Sequence, residues 1–394
     1  MITLLAIGVA LVLSLAVFLV LGDLPQKLLA FPRPVVEAVW RVRKPLAVVA
    51  TVLVLLALWR NPSEGALAPA AIGTLAGLVA LFLFAGIVFI PHVMLPSDGH
   101  DAPFSDIARA LGCLSGDQEV AVLDTDAGPC AYPLSWLTRP HVAASPAVLA
   151  GGQPVAMTYC SLAHAAMAFE PSIDGCPLDL GVAAQLSNNL VFFDRHSGRL
   201  LQQLYGHFGL AATDGAPAMP RRAVRLMRFA AFGRLYPAGQ VYFNPPGAPR
   251  RPLPARLWDR TVRHMMATIL ERHYDPADPR PYFPTIPLID PRLPPKTQVY
   301  AFDINGDRVA FTRAFMAEKG GRIDTVIGGR QVAIRLFDEF DFVDAFTADG
   351  SLPATIDARG IDGDGQPVAR QPMIPQVLWM VWAHYFPGTA LDRL

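Results

Sequence analysis

The chain is short of charged side chains and lacks the motifs of the best-marked enzyme classes. Of its 394 residues, 17% are charged, against about 25% in an average soluble protein. It has no phosphate loop, no H-E-x-x-H helix, no G-x-S-x-G elbow and no G-x-G-x-x-G after a strand. Nucleotide-binding, zinc-protease and serine-hydrolase functions therefore have no support from motifs.

Net charge and cysteine use exclude two further classes. The formal net charge is +0 and the soluble part has no basic stripe, so a nucleic-acid partner is not expected. The cysteines, at positions 113, 130, 160 and 176, form no C-x-x-C pair, so a zinc site built from cysteine alone is not expected. An even count would suit two disulfides in an exported domain and free thiols in the cytoplasm.

Long uncharged runs occupy the first ninety residues. Ile2–Gly22 and Leu67–Ile90 contain no charged side chain, and each exceeds the roughly 20 residues that cross a bilayer core. Pro45–Trp59 is equally apolar but short for a span, so it either crosses or re-enters. These runs predict a multi-pass membrane anchor of two or three transmembrane helices, with membrane lipid and possible membrane proteins as partners.

The side of the membrane on which the soluble part lies is left open by the sequence. A short basic loop follows the first run and normally stays cytoplasmic; its basic residues are Lys27, Arg33, Arg41, Arg43 and Lys44. Three spans would then return the soluble part to the cytoplasm, and two would place it outside. Acidic residues just after the last run (Asp98, Asp101 and Asp106, against Arg109) favour an extracytoplasmic placement in the cell membrane.

Two halves of the soluble part resemble each other. Each half has a strand, a turn and a second strand, then a segment that begins Gly-Gly, and near its end an aromatic helix before proline and glycine; the paired segments are 119–132 with 298–311, 151–160 with 328–337, and 229–239 with 378–388. Asn305-Gly306 is a strong hairpin signal. We therefore predict an internal repeat of two β-rich lobes.

The predicted fold is a set of N-terminal transmembrane α-helices followed by a β-rich α+β soluble domain made of two repeated lobes. The predicted boundaries are a membrane anchor at 1–94, a first lobe at 95–243, a proline-rich connection at 244–296 and a second lobe at 297–394. Within the connection, Arg256–Tyr274 has helical apolar spacing and predicts a surface helix. Its His264 and His273, nine residues apart, are interpreted as surface histidines.

The most suggestive polar cluster follows a strand in the first lobe. Cys160 and His164 are four residues apart. If the strand passed directly into a helix at 161, thiol and imidazole could meet on one face as a soft-metal pair or an activated thiolate. The alternative is that both are packed core residues. His141 is a third polar candidate, whereas Asp194, Ser197 and Gly198 are typical of a tight turn.

Several runs resemble the bacterial Domain of Unknown Function 3179 family across residues 98 to 390, including the tandem arrangement. They are AYPLSWL (131–137), GGQPVAMTYCSLAHAAMAF (151–169), LVFFDRHSG (190–198) and DPRLPPKTQVYAFDINGD (290–307). Family members usually read T-Y-C-P-L-C-G-T-A where this chain has 158–166. The resemblance thus matches Cys160 to the first family cysteine, replaces the second with Ala163, and puts His164 at the glycine.

The resemblance also assigns neighbouring positions. His141 falls at a common family histidine, and Asp194 with Arg195 match the family's D-R. His207 and Leu201 stand where a glutamate and a tryptophan are usual. The second lobe has Phe337 in place of the cysteine, so any chemistry belongs to the first lobe. The family has no assigned activity, so the resemblance implies architecture, candidate residues and membrane attachment or export.

Three functional hypotheses follow. The first is a membrane-anchored accessory protein that holds copper, zinc or another soft metal, or a reactive thiol, with Cys160, His164 and His141; supporting polar groups are Tyr159, Asp194, Arg195 and His207. The second is a non-enzymatic, membrane-anchored interaction scaffold with an inert cysteine. The third is a hydrolase or transferase that uses Cys160 as nucleophile with His164 or His141 as base.

Overall fold

A computed structural model describes residues 1–394 except 66, 149–153, 247–252, 288, 349 and 393–394. The Gly-Gly pair at 151–152 and part of the proline-rich connection lie outside the described residues. In chain order the α-helices are α1 (Ile2–Leu21), α2 (Asp23–Leu29), α3 (Arg33–Glu64), α4 (Pro69–Phe84), α5 (Ile107–Leu111), α6 (Leu134–Leu137), α7 (Phe229–Leu235), α8 (Leu253–Tyr274), α9 (Arg313–Glu318) and α10 (Trp379–Tyr385). A π-helical segment, Ala85–Met94, continues α4, and a 3-10 turn covers Asp338–Phe340.

The strands come after the apolar helices in the chain, and most of them belong to sheets of three to five strands. They are β1 (Phe104–Asp106), β2 (Glu119–Thr125), β3 (Gly128–Pro133), β4 (Val142–Val148), β5 (Pro154–Cys160), β6 (Ala165–Phe169), β7 (Ser172–Ile173), β8 (Cys176–Pro177), β9 (Leu180–Leu186), β10 (Asn189–Asp194), β11 (Leu200–Gln202), β12 (Arg221–Arg222), β13 (Val224–Arg228), β14 (Gln240–Tyr242), β15 (Gln298–Ile304), β16 (Asp307–Thr312), β17 (Arg322–Ile327), β18 (Arg330–Phe337), β19 (Phe342–Thr347), β20 (Ile374–Leu378) and β21 (Ala390–Leu391). The predicted class, apolar N-terminal helices followed by a β-rich α+β domain, is confirmed.

The chain divides into two compact units that alternate along the sequence. Unit 1 comprises Met1–Pro96, Leu180–Ala212 and Phe283–Thr285, and unit 2 comprises Ser97–Asp179, Thr213–Tyr282 and Ile286–Leu394. The apolar helices of unit 1 therefore share a compact body with a segment far along the chain. The domain boundaries drawn from the sequence remain a prediction.

Three helices of unit 1 are long and apolar enough to cross a membrane: Ile2–Leu21, Arg33–Glu64 and Pro69–Phe89. The apolar run that was short for a span is the centre of α3, whose 32 residues extend for about 48 Å at 1.5 Å per residue. Small side chains lie where the helices meet, since Ala10 and Ala50 pack with Val79 in one buried cluster. The Met1 amine lies 3.2 Å from a carboxylate oxygen of Glu64, so α1 begins where α3 ends.

The opposite end of this helix group packs on a small sheet with strand order β11-β10-β9. The shared core contains residues of α1, α3, the sheet and the segment after β11: Val17, Val20, Leu21, Val36, Trp40, Ala183, Leu186, Val191, Phe193, Leu200 and Leu210. The Trp40 indole N–H donates to the Gly198 carbonyl at 2.7 Å, and its ring lies 5.2 Å from that of Phe193. The first part of α3, before the uncharged run, therefore packs on the sheet and is held there by Trp40.

Unit 2 contains two sheets with the same strand order and the same pairing directions. In one, β13-β2-β3-β14 pair antiparallel, antiparallel and parallel, with β1 added at the edge. In the other, β20-β15-β16-β21 pair in the same sequence of directions. The predicted hairpin turn at Asn305-Gly306 is confirmed, with φ of 51° and 83° at its two central residues.

Candidate functional site

Cys160 is the last residue of β5 and pairs with Ala165, the first residue of β6. The four residues between them, Ser161 to His164, form a hairpin turn. The sequence suggested a helix from residue 161 that would bring thiol and imidazole onto one face. That expectation is wrong, because the chain reverses direction here and continues as β6. His164 has a φ of 51°, the left-handed region that glycine occupies at little cost, so a glycine would also suit this position.

Three successive carbonyls of this turn accept hydrogen bonds from distant parts of unit 2. The Tyr274 hydroxyl donates to the Ser161 carbonyl, and the His273 imidazole donates through Nε2 to the Leu162 carbonyl at 2.8 Å. The backbone N–H of Leu378, at the end of β20, donates to the Ala163 carbonyl at 2.9 Å. The turn is therefore fixed by the last turn of α8 and by the end of β20.

His164 lies between two tyrosine rings and a carboxylate. Its ring makes edge contacts with Tyr159 at 5.9 Å and Tyr274 at 5.6 Å between centroids. Its Nε2 lies 3.4 Å from Oε2 of Glu119, and its side chain is 6% exposed. Burial alone would raise the pKa of Glu119, but the hydrogen bond and charge of His164 outweigh it, with help from Arg228, and lower that pKa.

The imidazole of His141 is bound to the backbone of the neighbouring strand. Its Nδ1 donates to the Tyr159 carbonyl at 3.1 Å, and the Tyr159 N–H donates to the His141 carbonyl at 3.0 Å. Tyr159 belongs to a buried hydrophobic cluster of unit 2, and burial raises its pKa well above the usual value. Alternation along β5 turns the side chains of Tyr159 and Cys160 to opposite faces.

The described residues contain no group of three or more His, Cys, Asp or Glu side chains arranged to hold a metal ion. The predicted set of Cys160, His164 and His141 is therefore not assembled as a three-ligand cluster. All three are buried, at 0%, 5% and 5% relative exposure. Among the described residues, Ser161 Oγ and His164 Nδ1 of the turn and His273 Nδ1 of α8 are buried polar atoms without a hydrogen-bond partner.

The remaining predicted polar residues belong to unit 1. Asp194 ends β10 and accepts from the backbone N–H groups of His196 and Ser197 at 3.3 and 2.7 Å, so the predicted tight turn is confirmed. Arg195 is exposed in that turn. His207 is buried, stacks on Tyr205 at 5.3 Å between ring centroids and donates from Nδ1 to the Phe208 carbonyl at 2.9 Å.

Sequence reasoning missed Glu119, His273 and Tyr274 as neighbours of the Cys160 turn. The predicted helix at Arg256–Tyr274 is confirmed as α8, and His264 is exposed as expected. The interpretation of His273 as a surface residue is wrong, because its relative exposure is 0%. No local signal marks it, since its partner Leu162 is 111 residues earlier in the chain.

Burial gives His273 a pH-dependent effect on stability. Desolvation lowers its pKa from 6.5 to about 4, with the Lys296 charge as a lesser cause in the same direction, while the hydrogen bond to Leu162 opposes both. The folded state keeps the imidazole neutral while the unfolded chain becomes protonated below pH 6.5. Stability therefore falls as the pH falls from 6.5 towards 4.

We predict that His273→Gln removes this loss of stability at acidic pH. For the native chain, the free energy of unfolding should fall by about 2 kcal/mol between pH 7 and pH 5 through this residue alone. The variant should be less stable than the native chain at pH 7 but should change less with pH. Thermal unfolding of the purified full-length protein at both pH values measures the difference.

His264→Gln is the matched control, since His264 is exposed on the same helix and should leave the native pH dependence unchanged. An unaltered pH dependence in His273→Gln would contradict the buried neutral imidazole.

A comparison with protein families assigns most of this chain to one family. The family described as Protein of unknown function (DUF3179) matches residues 89–389, which is most of the chain and all of unit 2 except its last residues. No curated protein and no solved structure matches the sequence significantly. On the extent of the family match, the chain belongs to the DUF3179 family.

Proposed function

We propose that this chain is a non-enzymatic interaction scaffold anchored in a membrane, in which Cys160 is a packed structural residue. The observation that supports this most directly is the turn after Cys160, where three successive carbonyls are held by α8 and by the end of β20. Groups that fix a buried turn in this way satisfy the backbone and leave little freedom to admit a substrate.

Burial of the thiol points in the same direction. A catalytic or metal-binding cysteine needs access and a setting that favours the thiolate, whereas a cysteine packed among apolar groups behaves as a small hydrophobic residue. Cys160 has 0% exposure, and Ala163, which stands where the family usually has its second cysteine, also has 0%. Neither position presents a reactive group to solvent.

The competing hypothesis is an accessory protein with a soft-metal site, for copper or zinc, or a reactive thiol at Cys160, His164 and His141. One observation favours it. Buried polar atoms usually have partners, yet Ser161 Oγ and His164 Nδ1 have none among the described residues. A small ligand or an ordered water that bonds to both atoms would explain why they lack partners. The two hypotheses therefore differ in whether a reagent or ligand from solvent can reach Cys160.

We predict that Cys160 resists alkylation in the folded protein. Under a brief maleimide treatment, the exposed Cys113 and Cys176 should be modified, whereas Cys160 and the other buried cysteine, Cys130, should react only after unfolding. Burial raises the pKa of the Cys130 thiol to about 11, so it is an internal negative control. Peptide mapping by mass spectrometry distinguishes the four positions without mutation.

Modification of Cys160 at a rate similar to that of Cys113, with Cys130 still protected, would overturn the scaffold proposal and favour the reactive site.

Three helices with the length and composition of membrane spans suggest membrane association. We further infer that the basic loop and the segments that follow the third helix face the cytoplasm. The basic loop, the β9–β11 sheet and the end of the third span lie together at one end of unit 1, as the shared core with Ile87 indicates. Lys and Arg in short loops determine orientation, and acidic residues contribute little.

Two further points support the cytoplasmic placement over the predicted extracytoplasmic one. Among the described residues, the helices after Phe89 include no candidate span, so the rest of the chain stays on one side. All four cysteines are free thiols, which suits a reducing compartment.

We predict that a membrane-impermeant maleimide leaves Cys113 and Cys176 unmodified in intact cells and modifies both in inside-out vesicles. In a Ser63→Cys variant, the new thiol in the exposed last turn of α3, at the end of the second span, should react in intact cells. This thiol controls for reagent delivery. Modification of Cys113 and Cys176 in intact cells, without lysis, would establish the extracytoplasmic alternative instead.

A further inference from the structure

A cavity of about 490 Å³ lies in unit 1 where α3 meets the turn between β10 and β11. On the α3 side it is lined by the residues just before the uncharged run, and on the sheet side by the turn and the segment after β11. Its lining includes Trp40, Arg41, Arg43, Lys44, Arg199 and Phe208.

The charge of the cavity is strongly positive. Four basic side chains line it, and among the described residues Glu37 is its only acidic lining residue. Glu37 already accepts a hydrogen bond from the Leu210 backbone N–H. Arg41, Lys44 and Arg199 form no ion pair with a carboxylate in the described part of the chain, so the cavity lacks the counter-charge that a structural cluster of this size would normally contain.

Two of the guanidinium groups are fixed by aromatic rings. Arg43 lies 3.6 Å from the Trp40 ring centroid, and Arg199 lies 3.7 Å from that of Phe208. Arg43 also donates to the Trp40 carbonyl. Stacking holds a planar guanidinium in place while its N–H groups remain available for other acceptors, and two such forks match the oxygens of a phosphate.

The position of the cavity restricts the source of that phosphate. Lys44 directly precedes Pro45–Trp59, the uncharged centre of α3, so the basic side chains lie at the level where a bilayer's headgroups begin. Trp40, Leu200 and Phe208 provide apolar wall beside the charges. A phosphate attached to a glycerol backbone would satisfy both kinds of lining, whereas a free inorganic ion would use only the charges.

We propose that this cavity binds the phosphate headgroup of an anionic phospholipid, with Arg43 and Arg199 as the two principal contacts. The proposal rests on the inferred membrane anchoring, since the lipid would come from the leaflet next to the basic loop. A topological role explains Arg41, Arg43 and Lys44 equally well, because basic residues before a span orient it. It does not explain Arg199, which comes from the sheet.

The test uses the full-length protein purified in an uncharged detergent and titrated with short-chain phosphatidylglycerol, short-chain phosphatidylcholine or inorganic phosphate. Binding is followed by native mass spectrometry. Phosphatidylglycerol should bind more tightly than both other probes. Arg199→Gln should weaken it roughly tenfold, the effect expected from losing a charge-assisted hydrogen bond.

Arg195→Gln is the matched control, because Arg195 is an exposed arginine of the same turn that does not line the cavity. It removes the same charge and should leave the affinity unchanged. Both variants should show the thermal unfolding midpoint of the native chain, which separates loss of binding from loss of fold.

Three results would overturn the proposal: equal weakening by the two variants, which indicates non-specific attraction; equal affinity for phosphatidylcholine; or equal affinity for inorganic phosphate, which indicates a free-phosphate site. Failure of the anchoring itself is measured separately, by whether alkaline carbonate removes the protein from cell membranes.

Discussion

The hydrogen bonds at the carbonyls of Ser161, Leu162 and Ala163 hold together three parts of unit 2 that are far apart in the chain. They join the β5–β6 hairpin to the last turn of α8 and to the end of β20. A buried carbonyl without a donor costs about as much as a lost hydrogen bond, so these partners must stay in place together. The connection predicted at 244–296 is therefore not only a linker, because the last two residues of α8, His273 and Tyr274, help to hold the turn after β5.

A buried arginine provides a second link, which joins two sheets of unit 2. Arg225 of β13 has no exposed surface and donates to both carboxylate oxygens of Asp124 at 3.0 and 2.9 Å. Arg370 joins the same Asp124 at 2.6 Å to Asp344 of β19 at 2.7 Å. Burial would raise the pKa of Asp124, but the two arginines lower it, so the carboxylate stays ionised and compensates the buried charge. The sheet that contains β2 and β13 and the sheet that contains β19 therefore share one charge network.

Features governed by local chemistry were predictable from the sequence. The uncharged runs indicated the helices of unit 1, and Asn305-Gly306 indicated its hairpin because both positions need positive φ. The middle span was underestimated because its helix begins twelve residues earlier, in a stretch whose basic residues mask the helix in a hydropathy pattern. Pro45 lies inside α3 instead of starting it.

The candidate site was harder to predict because its contacts are long-range. Cys160 and His164 were identified by spacing, but the spacing presumed a helix and the chain forms a turn. Glu119 and Tyr274 reach His164 from 45 residues before it and 110 after it, distances over which no periodicity operates. Whether a cysteine is reactive depends on such neighbours, so sequence alone left the metal, thiol and scaffold hypotheses open.

Metal content tests the structural role of the Cys160 turn most directly. The native chain, Cys160→Ser and His164→Ala should be purified from one host, incubated with copper and with zinc, desalted and subjected to elemental analysis. If the turn is structural, all three should contain the same sub-stoichiometric background of metal. About one metal per native chain, lost in both variants while each remains folded, would contradict the scaffold proposal and establish a soft-metal site in the first lobe.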